Sequence, residues 1–133
     1  AGVPLSAILS SASVHDSQVA VPLMQMTTGR IRAGLYDLMD AAYDAREIHE
    51  FSRSLGHVPV IDPNPRGSAE PIPLDPAKTE RYKERSAAER GNSELKDNFG
   101  LENIRVKGHW KVSCHVMFCV LALTSKTLFN MIC

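Results

Sequence analysis

Four side chains able to do chemistry lie along one polar stretch: Tyr82, Arg85, Glu89 and Lys96, separated by three, four and seven residues. At about 100° per residue in an α-helix they fall within an arc of roughly 60° on one face. A carboxylate set among two cations and a phenol has two readings. Either it is a solvated charged face stitched by i,i+4 ion pairs, Arg85 with Glu89 among them, or it is a polar stripe turned toward a site. The other faces offer little to bury beyond Ala87, Ala88 and Leu95, which is odd for a helix with no site to face. A second carboxylate, Asp40, is open to reading as the N-cap of a helix at Ala41 or as a ligand. Arg105, Lys107, His109 and Lys111 form a basic segment before the last apolar stretch. That segment is either a solvated helix start or a contact for a nucleic-acid backbone.

The elements that position these residues follow from pattern and punctuation. Residues 5–11 read as a strand, and His15-Asp16-Ser17 as the cap of a helix over the apolar run 19–26, with Pro22 near its first turn or bending it. We take Asp16 as that cap. Residues 34–40 read as a second strand and 41–55 as a helix closed by Gly56. Residues 57–62 form a third strand, which Pro59 assigns to an edge or a strand start. Residues 63–77 are a proline-rich loop, and Asp75-Pro76 starts a helix that runs to about 98. A last helix covers 107–131. Strands alternating with helices give the α/β class.

A chain of 133 residues supports one domain. Fifteen basic residues balance fifteen acidic ones, but unevenly: residues 1–80 hold six basic and ten acidic side chains, residues 81–133 nine and five. An electrostatic footprint therefore belongs to the C-terminal part. The apolar stretch 112–125 is fourteen residues long between Lys111 and Lys126, which suits a buried core helix and no membrane span. Cys114, Cys119 and Cys133 form neither a disulfide framework nor a metal knuckle; Cys114 and Cys119 read as core. The five histidines lack ligand spacing. There is no P-loop, no G-x-G-x-x-G and no serine-hydrolase elbow. The opening Ala-Gly-Val-Pro, without Met, reads as the interior of something longer.

The pattern Y-x-x-R-x-x-x-E-x-x-x-x-x-x-K, complete as Tyr82, Arg85, Glu89 and Lys96, resembles the signature of DDE transposases of the insertion-sequence-four and insertion-sequence-five type. The text of residues 84–96 is similar to that family's glutamate helix. Leu38-Met39-Asp40-Ala41-Ala42-Tyr43-Asp44 resembles its strand end, and residues 12–17 its segment after the third strand. The likeness runs from about Gly2 to Phe129 in the family's order.

This resemblance implies a ribonuclease-H-like α/β catalytic domain, with Asp40 as the second catalytic aspartate and Glu89 as the glutamate. Both would be metal ligands in a two-metal site, Mg²⁺ with Mn²⁺ as substitute. There one ion activates a water or 3′-hydroxyl and the other stabilises the leaving oxygen. Arg85, Lys96 and Tyr82 would meet DNA, with Arg105 and Lys107 as backbone contacts. The implied partners are transposon ends and target DNA, with possible self-association and no membrane. The implied place is the bacterial cytoplasm, at the nucleoid. The family's first aspartate lies upstream of the strand at Leu5, so the expectation is an N-terminally truncated domain, inactive as given. The competing expectation is a non-catalytic remnant that binds only DNA or the full-length enzyme. Asp37, three residues before Asp40, points to the opposite face and does not replace the missing ligand. The expected sheet is a parallel pair, 35–40 with 58–62, covered by helices, with the Leu5 segment detached or paired non-natively.

Overall fold

A computed structural model describes residues 2–31, 36–63 and 73–133. They divide into two compact units, one of residues 10–85 and the other of residues 86–133 with those before residue 10.

In the first unit, helix α1 spans Asp16–Thr28. Its N-cap is His15 rather than Asp16, because the Ser17 N–H donates to His15 Nδ1 at 3.3 Å. Asp16 instead sits in the first turn, where its charge suits the helix dipole. Pro22 lies in the interior of α1. Strands β1 (Tyr36–Met39) and β2 (Val58–Ile61) pair in parallel, with Tyr36 opposite Val58 and Met39 opposite Ile61. This is the expected pair; residues 34 and 35 of the predicted strand lie outside the described residues. A two-stranded sheet has only edges, so Pro59 is accommodated in β2.

The helix predicted over 41–55 is two pieces. A 3₁₀ turn occupies Ala41–Tyr43, and α2 covers Arg46–Ser54. The chain leaves α2 through a Schellman motif: the Gly56 N–H donates to the Arg53 carbonyl at 3.0 Å and the His57 N–H to that of Ser52 at 3.1 Å. Gly56 takes φ 79°, which a side chain would resist. Ala20 and Met24 of α1, Ile48 of α2 and Ile61 of β2 are buried together, with Met39, Tyr43, Phe51 and Leu55 around them. The single helix expected from Asp75-Pro76 to about 98 is broken. Helix α3 (Pro76–Tyr82) begins with proline at its first turn, and a 3₁₀ segment, Lys83–Arg85, follows it. A separate helix starts at Ser86, so Tyr82, Arg85, Glu89 and Lys96 do not share one α-helix. Of the proline-rich loop predicted over 63–77, residues 64–72 lie outside the described residues.

The second unit is a helix pair. Helices α4 (Ser86–Asp97) and α5 (His109–Ile132) bury Leu95 against Cys119 and Leu123, with Phe99, Leu101 and Val120 packed around them. The Cys119 thiol donates to the Phe99 carbonyl at 2.9 Å, and Lys126 pairs with Glu94.

Two expectations are corrected here. Residues 5–11 form no strand. A strand needs a neighbour for its ladder, and among the described residues the one sheet contains only β1 and β2. The serines favour local bonds instead: Ser11 and Ser13 hydroxyls lie 3.0 Å apart, and the Val14 N–H turns back to the Ser11 carbonyl at 2.9 Å. Helix α5 matches the last helix expected over 107–131; what is corrected is the buried core expected at its middle, 112–125. Helix α5 has 24 residues and by length and composition is apolar enough to cross a membrane. Only Cys119 and Leu123 on it are buried, while Trp110, Met117, Phe118, Leu121 and Phe129 are exposed. Lys111 and Lys126 do not end the apolar run, because lysines on a helix surface lay their stems along it. Cys119 is core as expected; Cys114 is only half-buried.

Candidate functional site

Parallel strands aim their carboxyl ends at one edge of a sheet, which is where open α/β sheets take their ligands. Asp40 follows β1 at that edge, and Asp62 follows β2 beside it, its N–H donating to the Met39 carbonyl at 3.2 Å. Asp40 caps the 3₁₀ turn: its Oδ1 accepts the Ala42 N–H at 3.0 Å. Its other oxygen, Oδ2, lies 3.3 Å from Nη2 of Arg85, and 42% of the side chain remains exposed. The capping role read from sequence is therefore real, and it leaves the carboxylate facing outward.

Arg85 also stands over the Tyr82 ring, 5.6 Å from its centroid. Burial raises the Tyr82 hydroxyl above its ordinary pKa, as do the carboxylates of Asp62 and Asp40, against the opposing pull of Arg85. Tyr43, three residues after Asp40, is raised by burial first and then by Asp16 and Asp40. Both phenols stay neutral donors at physiological pH. Within this unit the structure thus gathers Asp40, Tyr82 and Arg85, three of the residues singled out from sequence. It adds Asp62, whose signal was available as an aspartate directly after each of two parallel strands.

The remaining candidates belong to the other unit. Glu89 lies in the first turn of α4 and Lys96 in its last, two turns apart and both exposed, with Leu95 turned into the helix pair. Arg105 and Lys107 are exposed in the irregular segment before α5, which starts at His109 rather than Lys107. Asp40 follows a strand and Glu89 lies on a helix.

Asp37 points away from Asp40, into a polar cluster. Ser52 Oγ donates to Asp37 Oδ2 at 2.6 Å, and His57 Nδ1 lies 3.1 Å from the same oxygen. The three residue types are those of a hydrolase triad, but here the carboxylate stands between serine and histidine. No imidazole reaches the hydroxyl to take its proton, so the cluster is a structural tie.

A hard, outward-facing carboxylate oxygen suits a divalent ion such as Mg²⁺. Among the described residues, no three His, Cys, Asp or Glu side chains gather into a metal-binding group. Asp40 offers one such carboxylate, with Oδ1 capping the 3₁₀ turn and Oδ2 paired with Arg85.

A parallel strand pair under helices, with a carboxylate, an arginine and a tyrosine at its carboxyl edge, defines an α/β domain. Residues 1–125 match the family model of the transposase DDE domain, and the chain belongs to that family. No curated protein and no solved structure matches it. Membership carries transposase function in general, with the DNA binding and divalent-metal use common to such domains.

Proposed function

We propose that the chain is the glutamate-bearing part of a ribonuclease-H-like transposase catalytic domain of the insertion-sequence-four/five type. It acts in phosphodiester cleavage and strand transfer at transposon ends, in the bacterial cytoplasm at the nucleoid. The observation that carries this reading is the Asp40–Arg85–Tyr82 grouping at the sheet's carboxyl edge, in a chain whose next helix holds Glu89 and Lys96.

Asp40 and Glu89 would hold Mg²⁺, or Mn²⁺ in its place. Such ions supply activation of the attacking oxygen and stabilisation of the leaving one. Arg85 and Lys96 neutralise and orient phosphates, Arg85 as a planar fork and Lys96 as a point charge. Tyr82 donates from a neutral hydroxyl or stacks, and Arg105 and Lys107 hold the backbone further along.

The test is DNA binding read as a salt dependence, by fluorescence anisotropy of a labelled duplex. Each phosphate contact removed lowers the slope of log affinity against log salt by about one. Lys96→Ala should do so, and Arg105→Ala with Lys107→Ala should lower it by about two. Slopes unchanged in all variants would overturn the interface. With two of the three carboxylates such sites use, the 133-residue chain is expected to bind without Mg²⁺-dependent nicking. Nicking abolished by both Asp40→Asn and Glu89→Gln would show a third carboxylate elsewhere in the sequence.

A further inference from the structure

Residues 102–111 are exposed without a break, from Glu102 through the irregular segment into the first turn of α5. Within that run stands the chain's one tryptophan, Trp110, 78% exposed, although an indole is a side chain that folding ordinarily covers. The charge around it is of one sign. Glu102 is the last acidic side chain of the sequence, and Arg105, Lys107 and Lys111 follow it. Among the described residues, these three cations make no ion pair and no side-chain hydrogen bond. Arg46, Arg81, Lys83, Arg85 and Lys126, by contrast, each face a carboxylate.

We propose that Trp110 is a stacking platform for an unpaired base of single-stranded DNA, with Arg105, Lys107 and Lys111 on the phosphates to either side of that base. The proposal rests on the reading of Arg105 and Lys107 as backbone contacts; it adds the form of the DNA and the residue that touches a base. A flat aromatic beside free cations answers to the two aspects of a single strand, an apolar base face and a charged backbone. An apolar protein surface seated on Trp110 would have to strip water from the neighbouring cations without neutralising them, whereas a strand neutralises them. In a duplex the base faces already lie on one another, and turning one out works against stacking and pairing; the platform therefore favours a strand that is already open. The turn into α5 is open as well, since a Cβ added at Gly108 would meet nothing within 4 Å.

Because Trp110 is the one tryptophan, its own fluorescence reads the contact on the unaltered 133-residue chain. Oligothymidylate of about twelve nucleotides, a length such surfaces cover, should quench it saturably, and a blunt duplex of equal length should quench it far less. Trp110→Ala, followed by anisotropy of labelled oligothymidylate, should weaken binding about five- to a hundredfold, the loss of one stacked base. Trp110→Phe should recover most of that loss. Lys111→Ala should lower the slope of log affinity against log salt by about 0.7, the single-strand value per phosphate, and keep the quenching at low salt. Oligothymidylate that binds without quenching, or a Trp110→Ala chain that binds it within about twofold of the parent, would overturn the platform and leave the backbone contacts standing. Equal quenching by the duplex would overturn the choice of single strand. Absence of binding to either DNA would overturn both readings. A parent that self-associates in sedimentation, with Trp110→Ala monomeric and its DNA binding unchanged, would give the indole to a second copy and overturn the platform.

Discussion

Ser52→Ala removes a single oxygen from the molecule, and its cost can be worked from the surroundings. Ser52 is fully buried, and its hydroxyl donates to Asp37 Oδ2 at 2.6 Å. Asp37 and His57 expose only 16% and 14% of their side chains. A hydrogen bond to a charged acceptor contributes about 1.5–3 kcal/mol. Asp37 keeps His57 and some water after the change, so the loss belongs at the lower end, about 1.5–2 kcal/mol. Asp37→Ala should cost more, roughly 3 kcal/mol, because it leaves a buried hydroxyl without its acceptor and takes His57's partner as well. The double variant should cost about 1.5 kcal/mol less than the sum, since the second change no longer breaks a bond the first has already removed. Urea denaturation followed by circular dichroism measures all three. A Ser52→Ala cost below about 0.5 kcal/mol, or strict additivity, would refute a tie between β1, α2 and the turn after it.

Gly91 lies inside α4, and a Cβ there would meet Leu123 Cδ2 at an ordinary 3.9 Å; Gly91→Ala should stabilise the chain by about 0.5–1 kcal/mol, seen as a higher urea midpoint. Leu123 is 2% exposed between Leu95 and Cys119, so Leu123→Ala should cost about 3 kcal/mol by the same assay. The raised pKa of Tyr43 makes stability depend on alkaline pH. Below the unfolded value of 10.0 both states hold the phenolic proton and nothing changes. Above it the unfolded chain ionises first, and stability falls as pH rises through the folded value. Tyr43→Phe should flatten that alkaline loss, which thermal melts from pH 9 to about 11.5 would register.

Punctuation made much of the fold legible. Gly56 marks the end of α2 because it readily takes a φ of 79° that side chains resist, and Pro76 the start of α3 because its ring fixes φ near the helical value. The parallel pair was legible because its apolar residues cluster in short runs between polar breaks. Residues 5–11 misled for the reason strands generally do: their state depends on a partner the local sequence does not contain. The break at Asp44 and Ala45 was hidden because neither glycine nor proline interrupts the sequence from Ala41 to Leu55. At the site, spacing placed Tyr82 and Arg85 together. The pairing of Arg85 with Asp40 spans 45 residues and follows from the fold, not from helix periodicity. Asp62 was legible too, since the expected pairing of 35–40 with 58–62 already sets it beside Asp40.

Helix α5 turns Cys119 and Leu123 inward, and at 100° per residue Trp110, Met117, Leu121 and Leu128 fall on its far side, all exposed. The chain's charges sum to zero and its isoelectric point is near 7.2, so at neutral pH no net repulsion keeps molecules apart. Colloidal behaviour is then governed by that oily ridge. Ammonium sulfate should precipitate the protein early and a phenyl resin should retain it strongly, since sulfate strengthens apolar association while its ions screen charge. Moving the buffer about two pH units from the isoelectric point, at low salt, should disperse it better than any added electrolyte.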